Sequence, residues 1–289
     1  MMPHHQLASD SFHAAKLAAK RTLLLVLAMG LTQPLFAQQG PRLSPATIAT
    51  PGLARTGADA PAWCQFRGPN GSGVAAAGCQ PPVKLNANQV VWKTSIPPGR
   101  SSPVLAGDRI FLTGLDQNRL VTLAIDRASG KVLWRREAPE VTVEKVHPTS
   151  SPAASTPLAD GQRVYVYFGS VGLLCYDHAG NEQWTKRLSP PKNQYGMATS
   201  PIAYEGKLIL VLDSDENLPD SKLSQSKILA FQQSTGEPAW ETARPFVRSG
   251  WSTPAIWEHA GGKELVVLGS GCVASYDPAT GAEKWRATG

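Results

Sequence analysis

A tryptophan four residues after a glycine, on the far side of a tight turn, recurs four times and restricts what this chain can fold into. The clearest copy is Ala124 to Trp134. An apolar run, Leu120 to Ile125, enters a polar turn closed by Gly130, and Val132 to Trp134 leaves it. Glycine supplies the positive φ such a turn needs, and Asp126 can accept from the turn's own amides. The other copies pair Gly180 with Trp184, Gly236 with Trp240 and Gly281 with Trp285. A rare residue at one fixed offset argues for an internal repeat of strand, turn and strand.

Each repeat opens on Ser/Thr-Pro: Ser102-Pro103, Thr156-Pro157, Ser200-Pro201 and Thr253-Pro254. A second strand follows at Arg109 to Thr113, Arg163 to Phe168, Lys207 to Leu212 and Glu264 to Leu268. Successive prolines lie 54, 44 and 53 residues apart, and tryptophans from Trp92 onward 42, 50, 56 and 45 apart. Four strands in about 40 to 50 residues is the unit of a propeller blade. The 26 Gly and 24 Pro fall between short apolar runs, and no helical period appears outside the N-terminus. The expected fold is therefore all-β, a β-propeller with about four complete four-stranded blades over 89–289, preceded by a turn-rich segment at 63–88. Trp92 adds an orphan fourth strand, Val90 to Ser95, with no strand and turn before it. The chain stops four residues past Trp285, so the expectation is an incomplete ring or open arc of a C-terminally truncated protein. A recurrent indole is expected to fill the wedge between blades, with its N–H on a backbone carbonyl.

The pattern Ala-x-Asp-x-x-Ser/Thr-Gly-x-x-x-Trp at Ala124 to Trp134 resembles the tryptophan-docking motif of PQQ-like (quinoprotein-like) β-propellers. Gln232 and Ser275 depart from it, and the copy at Cys175 lacks the Ala and one turn residue. The resemblance covers about 63–289. The stretches Trp63 to Val74 and Glu144 to Pro157 further resemble secreted bacterial PQQ-like repeat proteins, similar to the propeller subunit of the outer-membrane assembly machinery. Such a resemblance implies seven or eight blades and a non-catalytic protein-binding or assembly scaffold in the cell envelope. It leaves open a PQQ-dependent dehydrogenase whose ligands lie in a missing C-terminal part. The dehydrogenases of this fold use an adjacent Cys-Cys disulfide, an Asp base and Glu/Asn calcium ligands around PQQ. This chain has no adjacent cysteines. No catalytic or cofactor-binding residue is assigned, and no cofactor is expected; PQQ and calcium stand as the alternative. A polysaccharide-binding module is a third reading, through Trp251 and Trp257. Because Trp251 directly precedes a Ser-Thr-Pro blade start, packing is its expected role.

Residues 1–37 are expected to be a signal peptide, with Lys16, Lys20 and Arg21 before the short apolar core Leu23 to Leu31. That core is shorter than the roughly 20 residues of a membrane span. The protein is thus expected to be exported, periplasmic or extracellular, with no span after cleavage. Residues 38–62, rich in Pro, Ala, Thr and Gly, are expected to be a linker. The net charge of +6 is scattered, without a basic run carrying interleaved aromatics, so nucleic acid is not an expected partner. Export permits disulfides, and Cys64 with Cys79 is the expected bridge. Asp213, Asp215 and Asn217 resemble the opening of a calcium loop, but Leu218 stands where the turn needs Gly. His147 and His178 lack a Ser or Cys partner at a diagnostic spacing.

Overall fold

The computed structural model describes residues 63–75, 79, 82–190, 192–215, 225–245 and 247–289. All of them fall in one compact unit, Pro51–Gly289. The other unit, Met1–Thr50, together with the expected signal peptide (1–37) and linker (38–62), lies outside the described residues.

Four antiparallel sheets follow one another in sequence. Blade A contains β1 (Val104–Ala106), β2 (Arg109–Asp116), β3 (Arg119–Asp126) and β4 (Val132–Glu137). Blade B contains β5 (Leu158–Ala159), β6 (Arg163–Phe168), β7 (Gly172–Asp177) and β8 (Glu182–Arg187). Blade C contains β9 (Ile202–Tyr204), β10 (Lys207–Leu212), β11 (Lys227–Gln232) and β12 (Pro238–Ala243). Blade D has five strands: β13 (Arg248–Ser249), β14 (Ala255–His259), β15 (Gly262–Ser270), β16 (Cys272–Tyr276) and β17 (Glu283–Thr288). Four strands are expected there. The fifth arises because β15 is nine residues long and takes two short partners on one edge, β14 along Gly262–Val266 and β13 at Gly269–Ser270.

Register explains the motif. Each motif tryptophan sits opposite a small residue on the third strand: Trp134 on Ala124, Trp184 on Cys175, Trp240 on Ala230 and Trp285 on Ser275. A register shift follows that pair in every blade. The bulge strengthens the local twist and turns the indole out of its own sheet.

Alternate residues of each strand serve alternate neighbours, as the two-residue period requires. Phe111, Ala124 and Trp134 of blade A pack with Val164, Val166, Leu174 and Tyr176 of blade B. The opposite face of blade B, through Tyr165, Tyr167 and Leu173, packs with Leu208, Leu210 and Phe231 of blade C. Ile209, Ile228 and Ala230 then meet Leu265, Val267 and Tyr276 of blade D. Among the described residues no core cluster joins blade D to blade A.

The docking is repetitive. Trp134 lies against Gly180, where an added Cβ would sit 2.8 Å from the ring, and its Nε1–H donates to the His178 carbonyl at 2.9 Å. Trp184 does the same with Gly236 and the Gln233 carbonyl at 3.0 Å. Trp240 lies on Gly281, but its Nε1–H is buried without a hydrogen-bond partner. Two residues later a second donor reaches the same glycine's carbonyl: Arg136 to Gly180, Thr242 to Gly281. Trp92 docks on Gly130 in the same way, donating to the Arg127 carbonyl at 3.0 Å, while Thr94 donates to the Gly130 carbonyl. Residues 90–95 belong to no sheet, so Trp92 is held from the blade A side alone.

The turn-rich segment lies across the inner strands. Leu105 of β1 donates to the Trp63 carbonyl at 2.9 Å, and Ala159 of β5 to the Cys64 carbonyl at 2.8 Å. The Asn70 amide exchanges two bonds with the Ile256 backbone of β14. These contacts satisfy strand-edge groups that no further strand pairs.

Candidate functional site

The connectors between blades gather the polar and aromatic side chains that packing does not use. Each ends in the Ser/Thr-Pro pair, whose hydroxyl accepts from the preceding blade. The Ser102 N–H donates to Thr156 Oγ1 at 2.9 Å, Thr156 N–H to Ser200 Oγ at 3.0 Å, and Ser200 N–H to Thr253 Oγ1 at 3.1 Å. Proline carries no N–H and its ring fixes φ, so it presets the entry into the inner strand without using a donor. The relay links the four blade entries at a net gain of about 1 kcal/mol per bond.

Asn193 is the centre of the next layer. Its Oδ1 accepts from the Tyr195 N–H at 3.1 Å and from Trp251 Nε1 at 2.9 Å. Its Nδ2 donates to the Asp213 carbonyl at 3.3 Å. One amide thereby fixes rings from two connectors against the end of β10. Tyr195 meets Trp251 edge-on, with centroids 5.1 Å apart at 89°, and His147 from the preceding connector lies 4.9 Å from Tyr195. The His147 Nδ1 is paired with Thr149 Oγ1 at 2.8 Å. Trp251 belongs to none of the core clusters and stays 37% exposed. Its φ of +48° is left-handed, a strained setting for an aromatic residue. Trp251 packs edge-on against Tyr195, outside the blade cores, with its indole N–H held by Asn193.

Beneath Trp251 is a recess of about 10 Å³, room for roughly one water, lined by Asn193, Met197, Thr199, Asp213 and Ser249 among others. Asp213 is buried, and Arg244, wholly buried, donates Nε–H to its Oδ1 at 3.0 Å. Arg244 also donates to Tyr276 Oη at 3.1 Å, and its Nη2 has no partner. Burial pushes the Asp213 carboxyl up to about 6, against the pull of Arg244. Nearby Glu144, half-buried against Gly169, is raised by burial as well. The site offers an aromatic face and amide and hydroxyl groups on a braced floor.

The residues singled out in the sequence are dispersed. Asp213 faces Arg244, and Asp215, whose N–H donates to the Lys192 carbonyl at 3.1 Å, lies next to it; Asn217 falls outside the described residues. Among the described residues no three His, Cys, Asp or Glu side chains converge as metal ligands. Cys64 is half-buried, Cys79 exposed, and both are free thiols here; Cys175 is buried in β7 and Cys272 half-buried in β16. His178 sits in a docking turn with Nε2 3.0 Å from the Asp160 carbonyl, and His259 stacks on Trp257 at 4.2 Å. Asn193, Tyr195 and Arg244 were not singled out by sequence reasoning. The sequence signals that fall beside them were His147, Asp213 and Trp251.

Residues 83–249, more than half of the chain, match the PQQ_2 family, described as outer membrane protein assembly factor BamB, and the chain belongs to this family. A stretch of 144 residues is 28% identical to quinohemoprotein alcohol dehydrogenase ADH IIB of Pseudomonas putida, covering 49% of this chain and 20% of that protein. This chain therefore spans about a fifth of that curated relative. A europium-containing methanol dehydrogenase superposes with a TM-score of 0.50 at 18% identity, over 68% of this chain and 45% of that one. BamB from Moraxella catarrhalis aligns with a TM-score of 0.43 at 16% identity, over 64% of this chain and 50% of that one. The protein is thus a PQQ-like β-propeller protein. Among the described residues no helix is long and apolar enough to cross a membrane.

Proposed function

We propose that this chain is a non-catalytic protein-binding and assembly scaffold of the cell envelope, exported to the periplasm or beyond. The observation that carries the reading is the braced connector face. The hydroxyl relay ties connector to connector, and Asn193 locks Tyr195 and Trp251 on top of it. Loops presented on a rigid scaffold are where binding function concentrates. Exposed tryptophan and tyrosine are the residues that most often anchor protein contacts. Membership of a family described as an assembly factor supports the same reading. The chain takes neither PQQ nor calcium in this proposal: Asp213, the acid at the recess, is committed to Arg244, and no two of the four cysteines are adjacent in sequence.

The test is in-cell photo-crosslinking of the full-length protein in its native host. A photoreactive residue at Lys145 or Thr149, both exposed on a connector, is expected to give one discrete envelope-protein adduct. The same residue at Ala128, in the docking turn of blade A, is expected to give none. Equal labelling from both places, or alcohol-dependent dye reduction by the purified protein with PQQ and Ca²⁺, would overturn the reading.

A further inference from the structure

Trp251 adopts a costly backbone conformation outside every core cluster. A left-handed φ at a bulky residue costs on the order of 1–3 kcal/mol and persists only where the surroundings enforce it. Here they do: Ser249 Oγ accepts the Trp251 N–H at 3.2 Å, and Asn193 Oδ1 holds the indole N–H. Every docking tryptophan between two blades gives its ring to the next blade. Trp251 instead keeps ring surface toward solvent, with its one polar atom already satisfied inside the protein. What remains to a ligand is a fixed aromatic face.

The groups that hold this face are uncharged. Asn193, Ser249 and Thr149 fix the rings, and Tyr195 and His147 extend them over two further connectors. The nearest buried charges, Asp213 and Arg244, are paired with each other below the recess. Charges of both signs, Lys145, Lys192, Asp215 and Arg248, flank that set in sequence. A pyranose ring fits it. Its axial C–H bonds present a weakly positive apolar face, which an indole's negative π-face attracts. Its equatorial hydroxyls point outward to a rim of phenol, imidazole and hydroxyl groups.

We propose that the Trp251–Tyr195 face binds a neutral saccharide, with one pyranose ring laid flat on the Trp251 indole. The site goes beyond the docking role and adds a small-ligand contact to the same connector face. An envelope glycan is then the class of molecule it would engage.

Isothermal titration of the full-length protein with cellohexaose and with chitohexaose tests the site. Saturable binding of at least one is expected. Trp251→Phe, which keeps a ring face, should retain affinity within about threefold, and Trp251→Ala should lose about tenfold. Trp257→Ala, an exposed tryptophan on β14, should match the unmodified protein. Saturation-transfer difference spectra on the unmodified protein need no variant: the C–H protons of one ring face should receive most of the transfer. Silence of both sugars, equal affinity in Trp251→Ala, or binding of a decaproline peptide in place of the sugars would overturn the proposal. Sugar silence with the cross-linked adduct intact removes this site alone, whereas sugar binding without an adduct removes the docking role alone.

Discussion

Trp134 and Trp285 occupy the same position of the same motif and live in different surroundings. Trp134 is 8% exposed, lies on Gly180, and donates forward to the His178 carbonyl of the next blade. Trp285 is 38% exposed and donates backward, to Glu264 Oε2 of its own blade at 2.7 Å. Opposite Trp134 stands Ala124; opposite Trp285 stands Ser275, whose hydroxyl donates to the same Glu264 at 2.6 Å. Lys284 completes that network at 3.3 Å. The motif therefore encodes a knob, while the burial comes from the glycine turn of a neighbour. Where none is packed against it, polar side chains of the same sheet satisfy the indole.

The largest test of this difference is truncation at the two sites. Trp134→Ala is expected to cost about 3–5 kcal/mol, in the range of large-to-small core changes, and Trp285→Ala about 1 kcal/mol. Urea unfolding of both variants measures the gap; equal losses would break the comparison.

Next is the glycine that receives the ring. Gly180 has φ +86° and would place a Cβ 2.8 Å from Trp134, whereas Gly271, at φ +72°, has nothing closer than 4.0 Å. Gly180→Ala should cost about 2–3 kcal/mol and Gly271→Ala about 1 kcal/mol, the strain of the backbone alone. The difference in thermal midpoint isolates the steric part of docking.

The smallest effect compares two acids by pH. Asp213, at the interface of blades C and D, is held up to about 6 by burial, so the folded state binds a proton more tightly than the unfolded chain. Its contribution is present at low pH and lost as pH rises from about 4 through 6. Glu264, beside Trp285, is held down to about 2, chiefly by the Ser275 hydroxyl with Trp285 and Lys284 adding to it. Its contribution is present above about 4.5 and lost as pH falls toward 2. Urea midpoints from pH 2 to 8 should show both limbs. Asp213→Asn should flatten the upper one while lowering stability throughout, because Arg244 is left buried and unpaired; Glu264→Gln should flatten only the lower one.

The blades were legible because their signals are local. Strands β6 and β10 fall where the apolar runs Arg163 to Phe168 and Lys207 to Leu212 predict them. Gly and Trp are rare enough for a fixed offset to stand out. The recurrent Ser/Thr-Pro was visible as punctuation, but its hydroxyls act through partners 44 to 54 residues away, which no local pattern reveals. The candidate site was less legible for the same reason. Arg244 meets Asp213 across 31 residues, and Asn193 meets Trp251 across 58. Trp251 reads as a packing residue by its neighbours in sequence, and its left-handed backbone angle sets it apart from the docking set.

The segment from Trp63 to Asn70 has a kinetic consequence. Tryptophan docking joins residues 35 to 49 apart, so successive blades can assemble in order as a nascent chain emerges. The bond from Asn70 to Ile256 closes a span of 186 residues. Loop closure grows by about 0.6 kcal/mol for each doubling of length, so this fastening follows the docking of blades A, B and C. Until then the inner strands of blades A and B are paired with a tether whose far end is still free, and its fastening waits on synthesis of β14.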